Sequence, residues 1–167
     1  KVIGESAFSH CTNLVNIELP SNTTELGKSS FEACYSLEEI TISEGITAIP
    51  SLAFYACVGL KKVNFNENLL SIGGAAFANC RRLLTVVIPD KVTTVGAQAF
   101  NGCDTLISVT IGASVTEIGT TAFAFSSKMI ETIAKHPNIM KFIHLPVQAG
   151  NDEILRLMGR RYNREQY

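Results

Sequence analysis

Residues 95–112 read V-G-A-Q-A-F-N-G-C-D-T-L-I-S-V-T-I-G, and residues 3–20 read I-G-E-S-A-F-S-H-C-T-N-L-V-N-I-E-L-P. Laid over one another, the two stretches share one grammar, I-G-x-x-A-F-x-x-C-x-x-L-x-x-I-x-I-P, followed by five variable residues. The start of that unit recurs at Ile3, Leu26, Ile49, Ile72, Val95 and Ile118, a constant step of 23 with no insertion. Five full coils and a truncated sixth result. Phe recurs at Phe8, Phe31, Phe54, Phe77, Phe100 and Phe123, and Leu at Leu14, Leu37, Leu60, Leu83 and Leu106. The closing apolar pairs are Ile17/Leu19, Ile40/Ile42, Val63/Phe65, Val86/Ile88 and Val109/Ile111.

A unit this short cannot bury its own apolar face, so the physical solution is to stack units, each covering the next, into a rod. In L-x-x-I-x-I the last two apolar positions are two apart, the spacing of a strand with one face inward. Each coil is therefore expected to add one short strand to a parallel sheet. Gly4, Gly27, Gly73, Gly96 and Gly119 suit a turn that needs an unusual backbone angle or close approach, while Pro50 replaces the glycine once and predicts a coil that bends differently. The A-F-x-x-C run has the three-residue spacing of one helical turn.

Units such as those at 3–20 and 95–112 resemble the BspA-type leucine-rich repeat, over residues 3–125. The resemblance implies a leucine-rich-repeat solenoid, within an α/β class. It also implies a protein at the cell surface or secreted, engaged in adhesion or protein binding in host-associated bacteria and some protists.

The 46% hydrophobic content suffices for a continuous core, and the net charge of −1 selects no class of partner. The longest apolar runs fall short of the roughly 18 to 20 residues that cross a bilayer, so no membrane insertion is expected. KVIGESAF has no charged-then-apolar signal pattern, which reads as soluble with an earlier leader left open. Charge is divided unevenly, with 7 basic and 11 acidic residues in 1–125 against 7 basic and 4 acidic in 126–167. The pattern changes at the same place, so domains are drawn at 1–125 and 126–167.

All five cysteines, Cys11, Cys34, Cys57, Cys80 and Cys103, hold one repeat position and should form a column. Three readings compete for them. A metal site needs thiolates converging on one ion, whereas equivalent side chains point the same way. Disulfides between adjacent coils face the same difficulty of parallel Cβ vectors. Small, buried, weakly polar core residues account for the column most simply, and no metal or cofactor is expected.

The residues between the buried strand positions should face out in two columns, Asn16, Glu39, Lys62, Thr85, Ser108 and Glu18, Thr41, Asn64, Val87, Thr110. Asn16, Glu18, Glu39, Thr41, Lys62, Asn64, Thr85 and Ser108 are the candidate ligand-binding residues. Glu18, Glu38 and Glu39 in the first coils, with Lys61 and Lys62 in the third, would hold a charged partner in fixed register. The bland alternative is a merely solvated face. No aromatic lies in the two columns, which weakens a carbohydrate or single-stranded nucleic-acid reading. Arg81, Arg82 and Lys91 within one coil read as solvating cations. The triplet Asn22-Thr23-Thr24 matters as a glycosylation site only in a eukaryotic secretory setting.

After Phe125 the repeat fails, because Ser126 stands where Cys belongs and Thr132 and Ala134 replace the strand pair. A helix is predicted over 127–135, capped by Ser126 or Ser127 and stopped at His136-Pro137. Lys141 to Val147 reads as an edge strand limited by Pro146, and Asn151 caps a second helix that Gly159 ends. This segment resembles part of the radical-SAM methylthiotransferases that modify tRNA, around the LPVQAG and MGRRYN runs. It departs from that family's pattern at Ala149, where Ser is usual, and at Gly159, where Asn is usual. The resemblance implies substrate-proximal roles for His144, Gln148, Arg160 and Arg161. The packed-strand reading of His144 and the solvated-helix-end reading of Arg156, Arg160, Arg161 and Arg164 stand against it.

Such an enzyme needs a C-x-x-x-C-x-x-C cradle for its iron-sulfur cluster, while here every Cys is 23 residues from the next. No catalytic residue is assigned. The expected function is a non-enzymatic protein-binding or adhesion module with a host or bacterial surface protein as partner. The alternative is an inactive remnant of the tRNA enzyme, left by a fusion, a rearrangement or a mis-assembled or engineered frame. Residues 127–135 are expected to cap the open end of the sixth coil, with Lys141–Tyr167 packing weakly on that helix or remaining mobile.

Overall fold

The computed structural model describes residues 1–123, and the chain divides into two units after Ala124. The helix, strand and helix expected over 127–167, and the capping role with them, lie outside the described residues. Ten short strands occur within the described part: β1 (Val2–Ile3), β2 (Glu25–Leu26), β3 (Glu39–Thr41), β4 (Ala48–Ile49), β5 (Lys62–Asn64), β6 (Ser71–Ile72), β7 (Thr85–Val87), β8 (Thr94–Val95), β9 (Ser108–Thr110) and β10 (Glu117–Ile118). Every pairing is parallel and in a 23-residue register, as in Ile40↔Val63, Val86↔Val109 and Ile72↔Val95.

The strands form two columns, where one was expected. β3, β5, β7 and β9 use the central apolar residue of L-x-x-I-x-I, in coils 2 to 5. A second column, β1, β2, β4, β6, β8 and β10, uses the two residues that open each coil. An exposed residue followed by an inward one carries no period of its own, so only the stacking reveals it. At the start of each coil, Gly27 donates from N–H to Ile3 O at 2.7 Å, Gly73 to Ile49 O at 2.8 Å and Gly96 to Ile72 O at 2.7 Å. Pro50 has no N–H to give Leu26, and the second column divides there into β1-β2 and β4-β6-β8-β10.

The A-F-x-x-C run is a series of turns, and no helix occurs among the described residues. Cys11 N–H donates to Phe8 O at 3.1 Å and Ser9 N–H to Ser6 O at 3.0 Å, which closes tight turns. The remaining amides turn outward, as Ser6, Phe8 and His10 donate to Lys28, Ser30 and Glu32 of the next coil at 2.9, 2.8 and 2.7 Å. Positive φ at Ser6 (55°) and His10 (61°) produces that turning, and it repeats at Ser29 and Ala33, Leu52 and Ala56, Ala75 and Asn79, and Gln98 and Gly102. The conserved spacing of Gly serves close approach: a Cβ on Gly27 or Gly119 would overlap the backbone of Glu5 or Ala97 in the preceding coil.

The inward residues build one core. Phe8, Phe31, Phe54, Phe77, Phe100 and Phe123 stack with ring centroids 5.1 to 5.3 Å apart and planes within 8° of parallel. Phe31, Phe54, Phe77 and Phe100 are fully buried, and Phe8, at the first coil, is only partly so. Cys34, Cys57, Cys80 and Cys103 are buried free thiols, each donating from Sγ to the carbonyl of a Phe one coil back at 3.1 to 3.3 Å. The fifth member, Cys11, is exposed, contrary to the uniform core column expected, because the described residues include no Phe carbonyl one coil back such as the other four thiols reach.

Candidate functional site

The β3-β5-β7-β9 side turns Ile40, Val63, Val86 and Val109 inward, and the flanking residues outward, as the alternation of a half-buried strand requires. Glu39, Thr41, Lys62, Thr85, Val87, Ser108 and Thr110 are exposed there, and Asn64 is half-buried. Asn16 and Glu18 are exposed at the matching place in coil 1, where no strand is formed.

Coils 2 and 3 bring their charges onto one another. Lys61 Nζ lies 2.6 Å from Glu38 Oε1 and Lys62 Nζ 3.1 Å from Glu39 Oε1. Asn64 Nδ2 donates to Glu39 Oε1 at 2.8 Å and to Thr41 Oγ1 at 3.0 Å. The hydrogen bond and charge of Lys61 hold the Glu38 carboxyl below the usual carboxylate range. The Asn64 amide, then Lys62, do the same for Glu39. These charges were expected to face a charged partner; instead they answer each other across a 23-residue step, where the parallel register places side chains about 5 Å apart.

Coils 4 and 5 differ. Thr85, Ser108 and Thr110 carry no charge, and between them three large apolar side chains face solvent: Leu84 at 48% exposure, Val87 at 61% and Ile107 at 50%. Leu84 and Ile107 continue a third outward column, Val15, Glu38, Lys61, Leu84, Ile107, which strict alternation hides because two successive residues turn out at that corner. Ile107 N–H donates to Leu84 O at 2.9 Å, so the two side chains are neighbours on adjacent coils. Arg81 lies 3.8 Å from Asp104 at the margin. Among the described residues no group of three or more His, Cys, Asp or Glu is placed to hold a metal ion, and no helix is long and apolar enough to cross a membrane.

Residues 1–130 match the model of the BspA type leucine rich repeat region, in six copies. Among solved structures, a leucine-rich repeat protein from Bacteroides ovatus is similar at 29% identity and TM-score 0.71, over 77% of this chain and 33% of that one. A leucine rich cell surface protein from Faecalibacterium prausnitzii is similar at 32% identity and TM-score 0.64, over 70% and 30%. The leucine rich repeat protein of T. pallidum is similar at 25% identity and TM-score 0.64, over 77% and 70%. A 43-residue stretch, 26% of the chain, is 58% identical to the tRNA-2-methylthio-N(6)-dimethylallyladenosine synthase of Staphylococcus epidermidis and covers 8% of that enzyme. The chain thus spans under a tenth of the curated relatives it matches, and about a third of the first two solved structures. With its repeat matched over residues 1–130 and its coils superposing on those structures, the chain belongs to the BspA-type leucine-rich-repeat family.

Proposed function

We propose that residues 1–125 are a non-enzymatic protein-binding or adhesion module that presents its sheet face to a protein of a host or bacterial surface. The supporting observation is the outward face of two registered strand pairs, β3-β5 and β7-β9, stacked on a core that every coil shares. Repeat solenoids offer such extended surfaces without a catalytic pocket. The cell-surface description of the Faecalibacterium relative supports a surface location. On this reading Asn16, Glu18, Glu39, Thr41, Lys62, Asn64, Thr85 and Ser108 bound the contact area.

The test is capture from surface extracts by the immobilised full chain. A sheet-face variant, Thr41→Lys with Thr85→Lys and Thr110→Lys, should lose the retained protein, while a turn-side variant, Ala97→Lys with Thr120→Lys, should keep it. Equal retention by both would move the site off the sheet face.

The match of 43 residues to a tRNA-modifying enzyme favours a second reading for residues 126–167, that of an inactive remnant. Iron or S-adenosylmethionine in the purified protein would support the enzyme instead. The segment's contribution is read by truncation: deleting 126–167 should cause self-association or lower the melting temperature, and deleting only 148–167 should do less. An equally stable, monomeric longer truncation would leave it a passenger.

A further inference from the structure

We infer that recognition is concentrated on coils 4 and 5, where the sheet face takes an extended protein segment that seats apolar side chains on Leu84, Val87 and Ile107 and sets a carboxylate on Arg82. This rests on the reading of the sheet face as the binding surface, and it excludes the charged half as its centre.

Two observations carry it. The first is the uneven placement of exposed apolar side chains. In the third outward column, at the corner just before each strand, coils 2 and 3 hold Glu38 and Lys61 and coils 4 and 5 hold Leu84 and Ile107. Leu84, Val87 and Ile107 stay about half or more exposed with only hydroxyl side chains, Thr85, Ser108 and Thr110, between them. Leu84 and Ile107 are side by side on adjacent coils, with Val87 beyond the Thr85 and Ser108 pair, and exposed apolar groups gathered on one face in this way suit an interaction site. The hydroxyls supply adaptable hydrogen bonds around it.

The second observation is the state of the cations beside the patch. Lys61 and Lys62 are occupied by Glu38 and Glu39, and Arg81 leans toward Asp104. Arg82 is exposed and, among the described residues, has no carboxylate within ion-pair distance. Its charge adds to the lowering of the Glu38 carboxyl. Arg82 and Leu84 both face out, with buried Leu83 between them. An unneutralised guanidinium bordering an apolar patch calls for a carboxylate beside apolar residues, and guanidinium is the cation suited to bidentate capture of one.

The experiment uses a phage-displayed library of random 12-residue peptides selected against the full chain, followed by affinity measurements on the synthetic winners. Enriched peptides should carry Asp or Glu within a few residues of two apolar side chains. Leu84→Ser with Ile107→Ser should weaken them at least tenfold. Arg82→Gln should weaken an acidic winner several-fold and leave its Asp→Asn or Glu→Gln analogue unchanged. Each variant's melting curve checks that the fold is kept. Enrichment of basic peptides, no enrichment, or affinities indifferent to Leu84→Ser with Ile107→Ser would overturn the inference. If binding instead falls with Glu39→Ala and Lys62→Ala, the sheet-face reading stands and this placement fails; if no sheet-face change matters, both fail.

Discussion

Coils 2 and 3 carry the same inward side chains as coils 4 and 5, Phe, Leu, Cys and a β-branched strand residue at each step, yet their outward faces have opposite character. The first pair closes Glu38 on Lys61 and Glu39 on Lys62. The second leaves Leu84, Val87 and Ile107 in water. The interior has to repeat, because each coil is the floor of the next, and a change there is felt by two neighbours. The outward positions touch no such constraint, so they are where these coils differ from one another.

The largest expected effect tests the shared interior. Phe54→Ala in coil 3 and Phe77→Ala in coil 4 should each cost about 3 to 5 kcal/mol by chemical denaturation, alike in the two halves, and Phe8→Ala should cost less. Phe54 and Phe77 are each stacked between two rings, whereas Phe8 has a ring on one side. A central loss under about 1 kcal/mol would break the claim that this column is core.

The raised thiols, Cys57 in coil 3 and Cys80 and Cys103 in coils 4 and 5, give a pH dependence, while Cys34 in coil 2 is shifted the other way, downward beside Cys57. The neighbouring Cys34 thiol, and then burial, raise the Cys57 thiol; burial raises Cys80 well above its usual value and pushes Cys103 up to about 12. A raised folded pKa means the folded state keeps a proton that the unfolded state gives up. Stability is then fully present below the unfolded thiol value, about 8.5, and is lost as pH rises toward 12, by at most about 1.4 kcal/mol per pH unit for each thiol. Melting temperatures from pH 8 to 11 should fall, and less steeply for Cys80→Ala. An unchanged slope would place Cys80 outside the effect. In the native protein, Cys11 alone among the described thiols should react rapidly with a disulfide reagent.

A smaller effect sharpens the contrast within the core. Thr23 and Ser30 are buried with hydroxyls that make no hydrogen bond, in columns otherwise filled by Ile46, Leu69, Val92 and Val115 and by Ala53, Ala76, Ala99 and Ala122. Thr23→Val and Ser30→Ala should each stabilise by about 1 kcal/mol, since an orphaned buried hydroxyl costs that much or more. A loss of stability in either would show that the hydroxyl is satisfied.

The smallest effect belongs to the charged half. Glu39→Ala with Lys62→Ala should leave the melting temperature almost unchanged, because exposed ion pairs contribute little. Carbon NMR should find Glu38 titrating below the usual carboxylate range and returning toward it in Lys61→Ala. Being depressed, these carboxyls lend what they contribute above about pH 4.3 and lose it as pH falls through their folded values. An unshifted Glu38 would mean the Lys61 pair does not form in solution.

The solenoid, its step and its buried Phe and Leu columns were legible because a 23-residue period repeats six times at Ile3 through Ile118. The second strand column was not, since Val2–Ile3 or Glu25–Leu26 is too short to show an alternation. The left-handed turn positions were hidden because Ser6, Leu52 or Gln98 occupies them without the mark of glycine; Asn79 and Gly102 were the available hint. On the sheet face, the outward columns followed from strand alternation, while the pairing of Glu39 with Lys62 needed the side-chain conformations. The apolar patch went unread because Leu84 and Ile107 follow Leu83 and Leu106, and two apolar residues in succession look like core until the corner between them is seen.

The most direct test is hydrogen–deuterium exchange on the full chain with and without a peptide selected as above. Added protection should fall on residues 84–87 and 107–110, with residues 38–41 and 61–64 changed little. Protection centred on 38–64, or on the turn side near Ala97 and Thr120, would contradict the assignment of recognition to the uncharged half of the sheet face.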